Sequence, residues 1–151
     1  MKKINVVVGS VYGAAEQLAE ELASRIKQRG LEARQIVPAN LDEALAVRPE
    51  ALLVITSTTG QGDIPDNLLP FFQELKERFP LLEGLPVGII CLGDSSYGDT
   101  YCGAGRQFET MFEELGASFN EPMLRIDACE TFEPLDEAVP WLERWLTAIG
   151  A

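Results

Sequence analysis

Three short polar segments of this sequence carry residue types that bind small anionic or flat ligands. They lie at 10–15, 57–63 and 92–98, and each follows an apolar, β-branched run. Each also precedes a segment with helical spacing, so all three are predicted where a strand ends and a helix begins. In an open parallel α/β sheet, ligands bind outside the carboxyl ends of the strands. The three segments therefore predict a single site to which all of them contribute.

The first segment is predicted to bind an anion, because free backbone N–H groups and the helix dipole favour negative charge at the start of a helix. Gly13 permits a close approach to a ligand, and Ser10 offers a hydroxyl. The segment has no Lys or Arg, and it matches neither a nucleotide-hydrolysing P-loop nor Gly-x-Gly-x-x-Gly. A phosphate monoester suits it, although an ordinary strand-to-helix turn is the alternative. Its residues are Ser10, Val11, Tyr12, Gly13, Ala14 and Ala15.

The second and third segments are suited to a flat ligand. In the second, Gly60 can turn its peptide either way, because glycine tolerates a positive φ angle. In the third, Tyr97 follows a Gly-Asp-Ser-Ser turn and offers a large flat face with a polar tip. A surface tyrosine packed on its own loop is the alternative interpretation. The remaining candidates in these segments are Ser57, Thr58, Thr59, Gln61, Leu92, Gly93, Asp94 and Ser95.

Length and composition exclude several classes of protein. The 151 residues are 46% apolar, which is typical of one globular domain spanning residues 1–151. No apolar run approaches the roughly 20 residues that span a bilayer, and the amino terminus lacks a signal-peptide pattern, so we expect a cytoplasmic protein. Histidine is absent, which excludes Ser-His-Asp and Cys-His nucleophile systems and histidine-ligated metals.

Charge and cysteine usage limit the partners and the metal sites. The formal net charge of −12 disfavours nucleic acids and anionic membranes, because both are bound through positive charge. It favours a partner with a basic surface, although acidity alone also confers solubility. No Cys-x-x-Cys pair occurs, so we predict buried or half-buried thiols and no metal site. The cysteines are Cys91, Cys102 and Cys129.

Strand and helix patterns alternate along the chain. Strands are predicted at 4–8, 32–36, 51–55 and 87–92, with a fifth in 117–126 that Pro122 interrupts. Helices are predicted from 14, from 40, after 67, at 105–115 and at 135–149. The alternation predicts a doubly wound, three-layer α/β/α fold with a five-stranded parallel sheet of order 2-1-3-4-5. This order places strands one, three and four side by side.

Four details of the helices are also predicted. Asp66 or Asn67 is expected to cap the third helix, with Pro70 in its first turn. Asn40 and Glu43 resemble a capping box for the second helix. The core face of the third helix is predicted to be Leu68, Phe72, Leu75 and Phe79, and in the last helix Trp141 and Trp145 are predicted to pack in the core.

The chain resembles short-chain flavodoxins and the FMN-binding domains of diflavin reductases. The segments that carry the resemblance are 57–67, 92–98 and the Cys102-Gly103-Ala104 entry into a helix, and the resemblance covers essentially the whole chain. It implies a flavodoxin-like fold that binds FMN without a covalent bond. The strand order 2-1-3-4-5 is the order of flavodoxins themselves, so it rests on the resemblance as well as on the pattern.

The resemblance also implies roles for the three segments. Residues 10–15 would bind the FMN phosphate, residues 57–61 would line one side of the isoalloxazine, and residues 92–102 the other, with Tyr97 stacked on the ring. The Gly60 carbonyl would accept a hydrogen bond from N5–H of the one-electron-reduced flavin. Backbone N–H groups near Asp94 and Ser95 would meet the N1/O2 edge, and Cys102 belongs to the same set.

Two departures from the family pattern affect the expected site. Tyr12 and Ala15 replace hydroxyl residues of the family's phosphate loop, which predicts either weaker phosphate binding or reliance on backbone donors. Thr59 stands where many relatives have an aromatic residue, so either one ring face is more open or Ile64 covers it. Acidic residues around the ring would lower the potential for the second electron, namely Asp63, Asp66, Asp94 and Asp99.

The resemblance implies a low-potential carrier of single electrons rather than an enzyme. Its donor would be an NAD(P)H-dependent flavodoxin reductase, its acceptors redox proteins with basic surfaces, and the carrier itself a monomer. An FMN-dependent NAD(P)H or quinone reductase is the alternative, although no cationic dinucleotide-phosphate site is evident. A phospho-acceptor receiver domain is disfavoured, because strand one ends in Val8-Gly9-Ser10 without clustered carboxylates.

Overall fold

The computed structural model describes residues 2–11, 13–46, 48–58, 61–131 and 133–151. The strands are β1 (Lys3–Gly9), β2 (Glu32–Ile36), β3 (Ala51–Ser57), β4 (Val87–Gly93) and β5 (Leu124–Asp127). The helices are α1 (Ala14–Gln28), α2 (Leu41–Leu45), α3 (Leu69–Arg78), α4 (Gly103–Glu114) and α5 (Pro134–Ala148). A 3-10 helix, Ser95–Thr100, follows β4.

The five strands form a parallel sheet of order β2-β1-β3-β4-β5, which confirms the predicted topology. In the register of the sheet, Gly9 pairs with Thr56 and Ser57 pairs with Leu92. The carboxyl ends of β1, β3 and β4 therefore lie beside one another at one edge of the sheet.

Two apolar cores cover the two faces of the sheet. On one face, α1 and α5 pack against alternate residues of the central strands, such as Val6 and Leu53. On the other face, α2, α3 and α4 pack against the intervening residues, such as Val7 and Val54. Because β3 is buried on both faces, its apolar run is continuous rather than alternating. No helix in the described ranges is long and apolar enough to cross a membrane.

The two tryptophans of α5 pack as predicted. Trp141 and Trp145 are 2% and 0% exposed, and their rings stack with centroids 5.8 Å apart. They lie against Gly88 of β4, where an added Cβ would stand 2.8 Å from both rings. The close approach of α5 to the sheet therefore requires glycine at this position.

The prediction for α3 is wrong in its details. The helix begins after Leu68, and within the described ranges no side chain caps it, so neither Asp66 nor Asn67 does. Pro70 lies in the first turn, as predicted. Phe71, which was not predicted in the core face, is buried, and the predicted Phe72 is half-buried and packs against the same core with its ring edge-on to Phe108. Phe79 is 47% exposed, since its left-handed backbone turns it out of the helix.

The other differences between the predicted and the observed elements are small. Asn40 accepts the Glu43 N–H as a capping residue should, at 2.8 Å, whereas the Glu43 carboxylate pairs with Arg34. Helix α4 begins two residues earlier than predicted, at Gly103. Cys91 and Cys102 are buried as expected, but Cys129 is exposed, because it lies in the turn after β5.

Candidate functional site

The three polar segments meet at the carboxyl edge of the sheet. The Thr58 N–H donates to the Leu92 carbonyl at 3.1 Å, so the pairing of β3 with β4 continues one residue beyond β3. Three of the predicted site residues lie outside the described residues: Tyr12, Thr59 and Gly60. The other predicted positions lie within the described ranges.

The first segment forms the N-terminus of α1. Gly13 precedes the helix with a φ of +85°, and among the described residues no side chain caps it. Ser10 is 7% exposed, and its Oγ accepts the Gly13 N–H at 3.0 Å. Ala15 is fully buried in the core, whereas Val11 is 54% exposed. The first helical N–H groups are therefore placed to bind an anion through the backbone.

A carboxylate that the sequence analysis did not single out lies in the first turn of α1. The Ser10 hydroxyl donates to Glu16 Oε1, and Asn67 Nδ2 donates to Glu16 Oε2 at 3.1 Å. These bonds connect the end of β1, the start of α1 and the chain before α3. Because Glu16 is negatively charged, it opposes an anion at this N-terminus. Its position three residues after Gly13 was the signal available in the sequence.

The second segment holds one polar group without a partner. Ser57 Oγ is buried and makes no hydrogen bond to any described residue. Such a group at the end of a strand is suited to a ligand that completes its bonding. The neighbouring Thr58 Oγ1 lies 3.2 Å from Cys91 Sγ, and Gln61 is exposed.

Ile64 is largely buried. It is 5% exposed and belongs to the core between the sheet, α3 and α4. Little of the Ile64 side chain therefore reaches the surface, and cover of one ring face by Ile64 stays a prediction.

The third segment presents a flat aromatic surface. Tyr97 lies in the 3-10 helix and is 65% exposed, whereas Leu92 and Gly93 are half-buried at the end of β4. Asp94 Oδ1 accepts the Ser96 N–H at 2.8 Å, which begins the turn. The ring of Tyr97 is therefore held in a structured turn and remains accessible to a ligand.

Asp127, at the end of β5, is a site residue that the sequence analysis missed. It is 8% exposed, and its Oδ1 accepts the N–H groups of Ser95 at 3.0 Å and Cys129 at 2.9 Å. Hydrogen bonds from Ser95, and then from Cys129, lower the pKa of Asp127. The Ser95 N–H, predicted to face the edge of a ring, is thus engaged by Asp127 in this structure.

The ends of β4 and β5 bring together Asp94, Asp127 and Cys129. Each offers one potential metal ligand, and the three atoms lie within 4.8 Å of one another. Cys129 Sγ lies 3.0 Å from Asp94 Oδ1, and this hydrogen bond lowers the pKa of Asp94 and raises that of Cys129. Hydrogen bonds to backbone N–H groups at these two strand ends account for the arrangement of both carboxylates.

Cys102 lies beneath the site rather than on its surface. It is fully buried before α4 with a φ of +53°, and its Sγ lies 3.5 Å from the Cys91 carbonyl. The interaction between the two neighbouring thiols lowers the pKa of Cys91 and raises that of Cys102. Burial raises the pKa of the adjacent Tyr101. The Cys102 thiol is therefore not part of the exposed surface.

The arrangement suits a ligand with a phosphate at one end and a flat ring at the other. The uncapped N-terminus of α1 would take the phosphate, and Tyr97 offers a face for the ring. The unpartnered Ser57 hydroxyl lies at the end of β3, the strand between those of the other two segments. FMN has this chemistry, and the described residues fit it.

Comparisons with known proteins agree with this reading of the geometry. The sequence profile of the family described as Flavodoxin matches residues 6–141. An uncharacterised protein of Pseudomonas aeruginosa is 48% identical over 147 residues, covering 97% of this chain and 98% of that protein. Flavodoxin YqcA of Escherichia coli is 39% identical over 150 residues, covering 99% of this chain and 100% of YqcA.

A solved structure is similar over the same length. A cysteine-to-serine mutant of a flavodoxin from Pseudomonas aeruginosa superposes with a TM-score of 0.92 at 47% identity, covering 99% of each chain. The profile match and these relatives extend over most of the fold, including all three polar segments. The chain belongs to the flavodoxin family, whose members bind FMN and transfer electrons.

Proposed function

We propose that this chain carries single electrons on non-covalent FMN, between an NAD(P)H-dependent flavodoxin reductase and acceptor proteins. The observation that supports it best is the convergence of an uncapped helix N-terminus and an exposed tyrosine at one sheet edge. FMN supplies the redox chemistry when bound. The protein binds the cofactor, orients it and sets its electrostatic surroundings.

In this proposal the phosphate lies at the N-terminus of α1, and the isoalloxazine lies between the second and third segments. Backbone N–H groups of residues 14 and 15 bind the phosphate, because the Gly13 N–H already donates to Ser10 Oγ, and Tyr97 stacks on the ring. Tyr12, Thr59 and Gly60 complete the site on the strength of the sequence pattern. The carboxylates of Asp94 and Asp127 keep negative charge near the third segment, which disfavours further negative charge on the ring.

The proposed partners follow from charge. A net charge of −12 favours donor and acceptor proteins with basic surfaces, because opposite fields accelerate encounter. None of the three described segments contains a lysine or arginine that would hold a dinucleotide phosphate, which supports a separate reductase as donor. We propose that the carrier acts as a monomer in the cytoplasm, and its free thiols are typical of a reducing compartment.

A stepwise reductive titration followed by absorbance tests the proposal. We expect a yellow protein that releases FMN on denaturation and passes through a blue one-electron-reduced form. A yellow protein that bleaches in a single two-electron step, and that oxidises NAD(P)H unaided, would favour the FMN-dependent reductase instead. A protein that stays colourless with added FMN would contradict FMN binding, and the fold would be unaffected.

A further inference from the structure

We propose that Arg106 and Gln107, adjacent residues of α4, fix the positions of the two loops that flank the ring, which are residues 57–63 (the second loop) and residues 95–101 (the third loop). Arg106 bonds to the third loop, and Gln107 bonds to the second. Both would be positioning residues for FMN, acting through the loop backbones without touching the cofactor. The inference rests on the proposed function for the ligand, but the contacts themselves are independent of it.

Arg106 holds the end of the third loop. Its Nη1 donates to the Tyr101 carbonyl at 2.7 Å, and its Nη2 donates to the Asp99 carbonyl. A guanidinium is planar and presents its donors in a fixed fork, so two carbonyls bound to one arginine are fixed relative to each other. The positions of residues 99 and 101 therefore depend on one side chain from α4.

Packing alone would not hold this loop. The 3-10 helix Ser95–Thr100 contains no buried residue, and Tyr97 within it is 65% exposed. The bond from the Ser95 N–H to Asp127 fixes the start of the segment, and Arg106 fixes its end. Because burial contributes little between residue 95 and the buried Cys102, loss of the Arg106 bonds should loosen residues 95–101.

Gln107 holds the second loop from the same helix. Its Nε2 donates to the Gly62 carbonyl at 2.8 Å. Gly103, one turn earlier, lies directly against the same backbone, and an added Cβ there would stand 2.7 Å from the Gly62 Cα. The first two turns of α4 therefore contact both loops, and their separation is set by one rigid element.

A variant series separates this role from general electrostatics. Arg106→Gln and Arg106→Lys both remove the paired N–H donors of the guanidinium, and Arg106→Lys retains the positive charge. Gln107→Ala removes the bond to the second loop. Lys76→Gln is the matched control, because Lys76 of α3 lines one cleft together with Arg106 and Gln107 but donates to no loop carbonyl in the described part of the chain. Circular dichroism and thermal unfolding establish that each variant is folded.

Two readouts test the series. Amide hydrogen exchange of the full chain without FMN should be at least about tenfold faster over residues 95–101 in both Arg106 variants. The FMN dissociation constant, from flavin fluorescence quenching, should rise about tenfold in those variants and about fivefold in Gln107→Ala. Lys76→Gln should change neither quantity.

Unchanged exchange and unchanged FMN affinity in folded Arg106→Gln would overturn the inference. An equal effect in Lys76→Gln would also overturn it, because charge rather than loop contact would then be responsible. Failure of the wild-type chain to bind FMN would contradict the proposed function, whereas the exchange measurement would still decide the role of Arg106. If Arg106→Gln does not fold, the same two measurements on Arg106→Lys and Gln107→Ala decide whether the inference holds.

Discussion

The carboxylate of Asp127 at the end of β5 accepts the backbone N–H of Ser95, which follows β4, at 3.0 Å. The two residues are 32 positions apart and belong to neighbouring strand ends. The bond connects the outermost strand of the sheet to the loop that presents Tyr97. The order of that loop therefore depends in part on a residue at the end of the neighbouring strand.

Replacing Asp127 by Asn should lower thermal stability in a pH-dependent way. The pKa of Asp127 is lowered in the folded protein, so its contribution to stability is complete at neutral pH and is lost as the pH falls through the lowered pKa. We expect Asp127→Asn to melt a few degrees below wild type at pH 7, and the gap to narrow below about pH 5. Thermal unfolding, followed by circular dichroism at about five pH values between about 2.5 and 7, measures the difference in melting temperature. A gap that is constant with pH would contradict this role.

Replacing Glu16 by Gln should strengthen phosphate binding at α1. The glutamine keeps an acceptor for the Ser10 hydroxyl and removes a negative charge from the helix N-terminus. The FMN dissociation constant should fall about threefold to tenfold, and the effect should shrink at high salt. Riboflavin, which lacks the phosphate, is the control ligand. Equal tightening for riboflavin and FMN would show that Glu16 does not act on the phosphate.

Replacing Tyr97 by Ala should weaken ring binding without destabilising the protein. Tyr97 is 65% exposed, so its removal costs little core packing. The loss of a stacked aromatic should raise the FMN dissociation constant about tenfold, since such stacking contributes about 1–3 kcal/mol. Tyr97→Phe keeps the stacking face and should bind FMN nearly as wild type does. A large loss of unfolding free energy in Tyr97→Ala would instead indicate a structural role.

Replacing Gly103 by Ala should displace the second loop. The new Cβ would stand 2.7 Å from the Gly62 Cα and 2.8 Å from its carbonyl oxygen, and neither is the end of a flexible side chain. Such overpacking costs about 1–3 kcal/mol, which urea unfolding can measure. Glu113→Ala, at an exposed position of the same helix, is the control and should have little effect. Equal unfolding free energies of Gly103→Ala and wild type would show that the second loop can move away from the new Cβ without a measurable cost.

Much of the fold was predictable from local pattern. The buried run of β3, the alternation of strands with helices and the Gly-rich strand ends are local signals, and they gave the correct strand order together with the family resemblance. The cap of α3 was not predictable in this way. Asn67 is a strong capping residue, but its amide bonds to Glu16, 51 positions away, instead.

The supporting residues of the site were missed for a related reason. Asp127, Arg106 and Gln107 hold the loops through contacts made across the fold or around a tight turn. Their residue types are ordinary for a strand end and a helix surface, so no motif distinguishes them. The loop residues themselves were visible, because glycine and small polar residues after apolar runs are a local signal.

The side chains that hold the two ring-flanking loops bind backbone atoms of those loops. Arg106 and Gln107 bind the carbonyls of residues 99, 101 and 62, and Asp127 binds the N–H of residue 95. The bonds to residues 62, 99 and 101 do not depend on which side chains the loops carry. The side chains of Gln61 and Asp99 are therefore open to substitution, and redox potential or partner choice can diverge by mutation of the loop surface while the scaffold beneath is retained.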